Sequence, residues 1–131
     1  MPGFSNYLQN AVLNYLKGTA MPTAPASVFV ALFNGDPTDA GTGGTEVTTT
    51  IRTAGRVAAT FGAITGNTSM TNSAIVDFGA AAAGATVTHF ALFTAASGGS
   101  MLASDALSAS QTVAATNPVT FAANALSVSV T

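Results

Sequence analysis

Short β segments separated by turn residues make up most of this chain, and this pattern limits the folds that it can adopt. After residue 26, runs rich in β-branched and aromatic residues alternate with turns at roughly 8–12-residue intervals, which is typical of antiparallel sandwiches and barrels. A parallel α/β fold would need long helical segments between its strands, but the only helical pattern lies at the N-terminus. We therefore predict a mainly β fold, an antiparallel, jelly-roll-like β-sandwich with one N-terminal α-helix. Strands are predicted at residues 27–33, 48–61, 69–78, 86–94, 101–107, 111–114, 119–121 and 125–130.

The length of 131 residues is enough for one domain with a modest core. We expect a single domain over residues 1–131, with an N-terminal arm and helix at 1–18 and the β-sandwich at 27–131. Residues 30–33 (V-A-L-F) and 90–93 (F-A-L-F) are near copies. They predict either two equivalent central strands, one in each sheet, or a chance similarity between apolar strands.

Two further segments carry specific expectations. In the segment 69–78, Ile75 and Phe78 are predicted to point into the core. The segment 34–45 is polar and rich in glycine, so it is predicted to be a mobile, solvated loop.

The segment 4–17 predicts a helix with one apolar face, because apolar residues recur there every three to four positions. An isolated helix of about 14 residues is marginal in water. The face must therefore dock either on the protein's own sheet or on a neighbouring subunit. The candidate interface comprises Phe4, Tyr7, Leu8, Val12 and Tyr15, together with Arg52 and Arg56 farther along the chain.

Charge is unusually sparse in this chain. Charged residues make up 6% of it, against about 25% in a typical globular domain, and the formal net charge is −2. Few ions need to be desolvated when such a surface packs against another chain, so we predict a component of an assembly. The alternative is an ordinary sandwich domain with an uncharged surface. Three basic residues are too few for nucleic-acid binding, and no apolar run approaches the roughly 18 residues that span a membrane.

No constellation of residues predicts catalysis, a cofactor or a metal site. The only histidine, His89, lies within an apolar strand segment and is interpreted as structural. Asp36, Asp39 and Glu46 lack the spacing of a calcium loop and lie in or next to a segment that is predicted to be solvated. The chain contains no cysteine, which excludes disulfides and thiolate ligands. We therefore expect no enzyme activity.

The two candidate arginines leave three alternatives open. Arg52 and Arg56 either pair with Asp77 or Asp105, contact acidic groups of a partner, or are simply solvated.

Three segments resemble a family of small virion proteins of tailed bacteriophages. They are residues 4–16 (F-S-N-Y-L-Q-N-A-V-L-N-Y-L), 28–46 (V-F-V-A-L-F-N-G-D-P-T-D-A-G-T-G-G-T-E) and 87–102 (V-T-H-F-A-L-F-T-A-A-S-G-G-S-M-L). Thr94 stands where that family commonly has an aspartate, and an alanine run replaces a more polar segment. The resemblance implies a structural protein of the phage particle, and it supplies no catalytic residues.

The resemblance leaves the location within the virion open. The leading hypothesis is a capsid cement, or decoration, protein on the capsid exterior that binds the major capsid protein and stabilises its lattice. Self-association into a homo-oligomer is also expected, with a trimer as one option. The alternative is a structural or adaptor protein of the tail or tail fibre. Binding to undecorated capsids at lattice stoichiometry would distinguish the two.

Overall fold

The structure, a computed structural model, describes residues 3–129. In these residues the chain is mainly β, with antiparallel strand pairs and one longer helix near the N-terminus, so the predicted fold class is confirmed. The elements are β1 (Gly3–Phe4), α1 (Asn6–Leu16), β2 (Val28–Asn34), β3 (Thr45–Glu46), α2 (Thr48–Ile51), β4 (Val57–Ala59), β5 (Ser69–Thr71), β6 (Val76–Ala80), β7 (Ala85–Phe93), β8 (Met101–Val113), β9 (Pro118–Phe121) and β10 (Ser127–Ser129).

One antiparallel sheet, the main sheet, organises the molecule. Its strand order is β1-β8-β7-β2-β3, and β4 pairs with the first half of β2 while β3 pairs with its end. Two ribbons, β5–β10 and β6–β9, pack against one face of this sheet and form a sandwich-like second layer. Burial of apolar side chains between the layers is the main stabilising contribution. The largest of these side chains belong to Val30, Leu32, Ile51, Val76, Phe78, Val87, Phe90, Leu92, Val119, Leu126 and Val128.

The opposite face of the main sheet is also apolar along β2 and β7. It carries a smaller cluster made of Ala31, Phe33, Ala91, Phe93 and Met101. The rings of Phe33 and Phe93 stack with centroids 6.3 Å apart. Strands that are covered on both faces read as continuous apolar runs, which explains why neither segment alternates in the sequence.

The two near-identical segments lie side by side in one sheet. In the antiparallel pairing of β2 with β7, Val30 lies opposite Leu92 and Leu32 lies opposite Phe90. The two segments are thus neighbouring central strands. The prediction of one such strand in each sheet is wrong.

The predicted strand 48–61 begins instead with a helical turn, α2. The hydroxyl of Thr48 accepts a hydrogen bond from the Leu32 backbone N–H at 2.9 Å and donates one to Glu46 Oε2 at 2.7 Å. These contacts bury Thr48 completely. They fix the chain against β2 in a turn and override the β propensity of the threonine run.

The predicted strand 69–78 is divided into β5 and β6. The break follows Asn72, whose side-chain amide donates a 2.9 Å hydrogen bond to the carbonyl of Ala74. Ile75 is consequently 62% exposed, so the prediction that it points inward is wrong, whereas Phe78 is buried as predicted. The predicted strand 111–114 is also corrected, because most of it forms the end of β8.

The loop between β2 and β3 is more compact than the sequence suggests. Pro37 is buried, and its carbonyl accepts a 2.8 Å hydrogen bond from the Gly43 N–H. A Cβ atom at Gly43 would lie 2.5 Å from the carbonyl oxygen of Asp36, so only glycine allows this close approach. No helix among residues 3–129 is long and apolar enough to cross a membrane.

Candidate binding surface

Helix α1 is attached to the main sheet through its first turn. Ser5 caps the helix by accepting a 3.2 Å hydrogen bond from the Leu8 N–H, and its hydroxyl donates to the Met101 carbonyl at the start of β8. The Asn6 N–H donates to the Asp39 carbonyl at 2.8 Å, which ties the helix to the β2–β3 loop. The beginning of α1 is therefore fixed by a buried polar side chain and by backbone contacts.

The rest of α1 is poorly covered. Ala11 is the only buried residue of this helix. Five large apolar or aromatic side chains are exposed; at about 100° per residue they are spread over about two thirds of the helix circumference, and we call the surface they form the α1 apolar face. They are Tyr7 (41% exposed), Val12 (37%), Leu13 (61%), Tyr15 (63%) and Leu16 (75%).

Local interactions, more than packing, define the end of this helix. Gly18 has a φ of +95°, and its N–H donates to the Tyr15 carbonyl at 3.0 Å. The Thr19 N–H donates to the Asn14 carbonyl at 2.9 Å. This is a glycine-based C-terminal cap. It holds the last turn of the helix in shape even though little of that turn packs on the main sheet.

The α1 apolar face has the properties of an interaction surface. Exposed apolar patches larger than a few hundred Å² are rare on monomers and mark binding sites. No residue between Asn6 and Leu16 is charged, and Lys17 follows directly after the helix. Met21, in the connector that follows the helix, is also exposed. A partner could therefore cover this face without desolvating a charge of the helix.

Arg56 occupies the centre of a separate, buried polar cluster. Its guanidinium forms two hydrogen bonds with the Glu46 carboxylate, at 2.8 and 2.9 Å. Its Nη1 donates to the carbonyls of Ala95 (3.0 Å) and Gly98 (2.7 Å). The guanidinium carbon also lies 3.7 Å from the centroid of the Phe93 ring. This cluster closes the small apolar cluster on the second face of the main sheet.

The environment of Glu46 predicts a pH dependence of stability. Burial acts to raise the pKa of its carboxyl, but hydrogen bonds from Arg56 and Thr48 and the charge of Arg56 outweigh it, so the pKa lies below its ordinary value of 4.5. The resulting stabilisation is fully present above pH 4.5 and is lost as the pH falls through the folded-state pKa. We expect the free energy of unfolding, measured in urea, to decrease over this acidic range.

Glu46→Gln provides the control for this effect. The variant should be less stable at neutral pH and should lose less stability on acidification than the unmodified protein. Part of the acid dependence will remain, because the Thr38 N–H hydrogen bond lowers the pKa of Asp36 as well. An unchanged pH profile in Glu46→Gln would contradict the assignment.

The predicted interface residues fall into different environments. Tyr7, Val12 and Tyr15 are exposed together on α1, and Leu8 is half-buried on the same helix. Phe4 lies in β1 and packs against the main core, so its ring is directed toward the interior.

The two predicted interface arginines have no hydrogen bond or ion pair with α1; their contacts lie elsewhere in the described residues. Arg56 is buried and pairs with Glu46, so the predicted pairing with Asp77 or Asp105 is wrong. Arg52 is half-buried, and its Nη1 donates to the carbonyls of Gly55 and Arg56, which shapes the turn between α2 and β4.

Leu13 and Leu16 are the most exposed leucines of α1, and neither is among the predicted interface residues. Leu13 carries a signal that could have identified it. It lies off the stripe formed by Leu8, Val12 and Tyr15, and an apolar residue on the otherwise polar side of a surface helix has no core to enter.

The residues considered as catalytic groups or metal ligands each contact different partners. His89 Nδ1 lies 2.9 Å from the Thr88 hydroxyl, which also accepts a hydrogen bond from the Gly35 N–H. The Asp39 carboxylate accepts from Gln9 of α1, whereas the Glu46 carboxylate accepts from Arg56. Between residues 3 and 129, no group of three or more histidine, aspartate or glutamate side chains could hold a metal ion.

Comparison with known proteins assigns the family. The sequence family described as podophage GP4 fiber I protein gp80 matches residues 3–129. No curated protein sequence matches the chain. The expected resemblance to virion structural proteins of tailed phages is confirmed, and with it the location in the virion, but the matched family is one of fibres. The capsid cement hypothesis and the capsid exterior are therefore not supported. Because the match covers nearly the whole sequence, this chain belongs to the podophage GP4 fiber I protein family.

Proposed function

We propose that the chain is a structural subunit of a podophage tail fibre and that it is attached to its neighbour in the particle through the α1 apolar face. The observation that carries the proposal is the exposure of this face. Leu13, Tyr15 and Leu16 are each more than 60% exposed on a helix that is tied down at only one end. The fibre family supports a location in the tail, which was the alternative of the sequence-based hypothesis.

Burial of apolar surface would supply most of the free energy of attachment through this face. Each Å² of apolar surface removed from water contributes about 25 cal/mol, and tyrosine is enriched among the residues that contribute most to protein interfaces. The fixed first turn of α1 holds the face in place before binding, so little conformational entropy is lost on association. Because the helix carries no charge, we expect this attachment to depend only weakly on ionic strength.

The proposal assigns a binding role and no catalytic step. We propose other fibre or tail chains as partners, together with further copies of this chain. A role in nucleic-acid binding is not proposed, since Arg56, one of three basic residues, is held by Glu46.

We expect Leu16→Asp to abolish attachment while leaving the fold intact. Leu16 is 75% exposed, so the aspartate remains solvated in the free protein, but it would be buried unpaired in the interface. The variant should melt at the same temperature as the unmodified protein. Its incorporation into phage particles, measured by quantitative mass spectrometry after complementation in trans, should fall at least tenfold.

Asn10→Asp is the matched control, because it adds the same charge to the same helix at an exposed polar position. This variant should incorporate normally. Equal incorporation of the two variants would contradict attachment through the α1 apolar face.

Labelling tests the location directly. A gold-labelled copy of the chain should appear on the tail of purified particles in electron micrographs. Labels distributed over the head lattice would overturn the fibre assignment and would favour a capsid role.

A further inference from the structure

A groove of about 510 Å³ with a mixed polar and apolar lining lies on the side of the molecule where the main sheet meets the second layer. Residues of β7, β8, β9 and β10 line it, and its apolar lining includes Phe90, Leu107, Val113, Val119, Phe121 and Ala125. Asp105 is the only charged residue of the lining. The groove is separate from α1, none of whose residues contributes to its walls.

The three outer strands that line the groove each have an edge without a strand partner among residues 3–129. β9 pairs with β6 alone, and β10 pairs with β5 alone. On its outer side β8 pairs with β1, but only at Ala103 and Ser104. The outer edge of β8 from residue 106 to residue 113 therefore presents backbone N–H and C=O groups that can template another strand.

This edge lacks the charged residues and prolines that protect many natural strand edges. Residues 106–113 read A-L-S-A-S-Q-T-V, with no charged residue and no proline. Residues 107–110 lie between the Val87–Gln111 and His89–Ala106 pairs, where they form a bulge without registered partners in β7, and residues 108–112 are all exposed. The segment is thus available from outside.

We propose that a second copy of this chain binds at this edge, through antiparallel pairing of β8 with β8 of that copy about a two-fold axis near Ser110. The pairing links the two main sheets through the outer edges of their β8 strands. It is isologous, so the same edge serves as template and as added strand. The expected assembly is a dimer, in contrast to the trimer considered from the sequence.

Side-chain chemistry supports a second copy as the occupant. With Ser110 opposite its own equivalent, Leu107 lies opposite Val113 of the second copy. Both residues line the groove, and residues directly opposite in an antiparallel pair point to the same face of the sheet. The added strand would therefore extend the apolar wall of the groove with matching side chains.

Charge is compatible with the same arrangement. In this register Asp105 lies ten positions away from its equivalent along the paired strands. At about 3.3 Å per residue, the two carboxylates would be separated by about 33 Å, which is well beyond the Debye length of about 8 Å at physiological ionic strength. The two-fold pair therefore brings no like charges together.

Cysteine cross-linking tests the geometry, because the chain has no cysteine of its own. Ser110→Cys should place two thiols opposite each other across the two-fold axis, within reach of a disulfide. Under mild oxidation at micromolar concentration, most of this variant should form a disulfide-linked dimer. Thr53→Cys, at an exposed turn after α2, is the matched control and should give at most a few per cent.

Introducing a charge at Ser110 tests the same contact in solution. Sedimentation of the unmodified protein should give twice the 12.8 kDa chain mass. Ser110→Lys and Ser110→Glu should each weaken the dimer at least tenfold, because like charges would lie directly opposite. Mixing the two variants should restore a dimer of one copy of each. Thr53→Lys should leave the dimer unchanged.

Several results would overturn the inference. They are a monomeric or trimeric unmodified protein, equal cross-linking of the two cysteine variants, and a Ser110→Lys dimer as strong as the unmodified one. Leu16→Asp separates this inference from the proposed function. It should abolish incorporation into particles but leave the dimer intact, and loss of the dimer in Leu16→Asp would show association through α1 instead.

Discussion

Replacing Arg56 with alanine is expected to lower the free energy of unfolding by about 3 kcal/mol. The guanidinium is buried, forms a two-pronged pair with Glu46 and donates to the carbonyls of Ala95 and Gly98. Its removal leaves these oxygens without their donor and uncovers the Phe93 ring. Because the Glu46 side chain is 30% exposed, water can reach part of it, which places the effect at the lower end of the range for a broken buried pair.

Equilibrium unfolding in urea measures this loss, and two variants serve as controls. Arg56→Lys keeps the charge but cannot form the planar, two-pronged contact, so it should recover only part of the stability. Arg52→Ala removes an arginine that bridges two carbonyls of its own turn, and it should cost about 1 kcal/mol. An Arg56→Ala variant no less stable than Arg52→Ala would contradict the central role of the cluster.

Replacing Asn72 with alanine is expected to destabilise the protein by a similar amount, about 3 kcal/mol. Asn72 is fully buried. Its amide donates to the carbonyls of Ala74 and Ala122, and its side-chain oxygen accepts from the Leu126 N–H, all at 2.9 Å. The Asn72 side chain thus links the chain after β5, at Ala74, to the chain between β9 and β10, at Ala122 and Leu126. The substitution removes the partner of the buried Leu126 N–H and of two part-buried carbonyls, and it creates a cavity.

Asn72→Asp distinguishes hydrogen bonding from volume. Aspartate has nearly the same size and can still accept from the Leu126 N–H, but when ionised it offers no donor to the two carbonyls. We expect Asn72→Asp to be at least as unstable as Asn72→Ala near neutral pH, in thermal or urea unfolding. Full stability of Asn72→Asp would mean that the shape of the side chain, and not its hydrogen bonds, maintains the local geometry.

The parts of the fold that follow from local periodicity could be predicted from the sequence. The helix within 4–17, the strands at 27–33 and 86–94 and the turn at 97–100 all have strong patterns, and each appears in the structure within a few residues of its predicted bounds. The errors arise where a single buried polar side chain redirects the chain. Thr48 turns one predicted strand into α2, and Asn72 divides another into β5 and β6.

The candidate site was predicted in part, for a related reason. The apolar stripe of α1 is visible in the sequence, but a stripe alone does not say whether the sheet or a neighbour covers it. The structure shows that the helix is attached through Ser5 and that Leu13 and Leu16 remain exposed. The role of Arg56 depends on Glu46, ten residues earlier, and on the β7–β8 turn, a tertiary arrangement that no local pattern encodes.

The attachment of α1 through Ser5 also determines how mechanical tension would travel through the molecule. A pull on the helix enters β8, because Ser5 donates to the Met101 carbonyl and β1 pairs with Ala103 and Ser104. β8 is bonded to β7 along much of its length, so the load is shared by many hydrogen bonds that must yield together. A tether at this helix would therefore load the long β7–β8 pairing together with the β2–β3 loop, whose Asp39 carbonyl accepts from the Asn6 N–H.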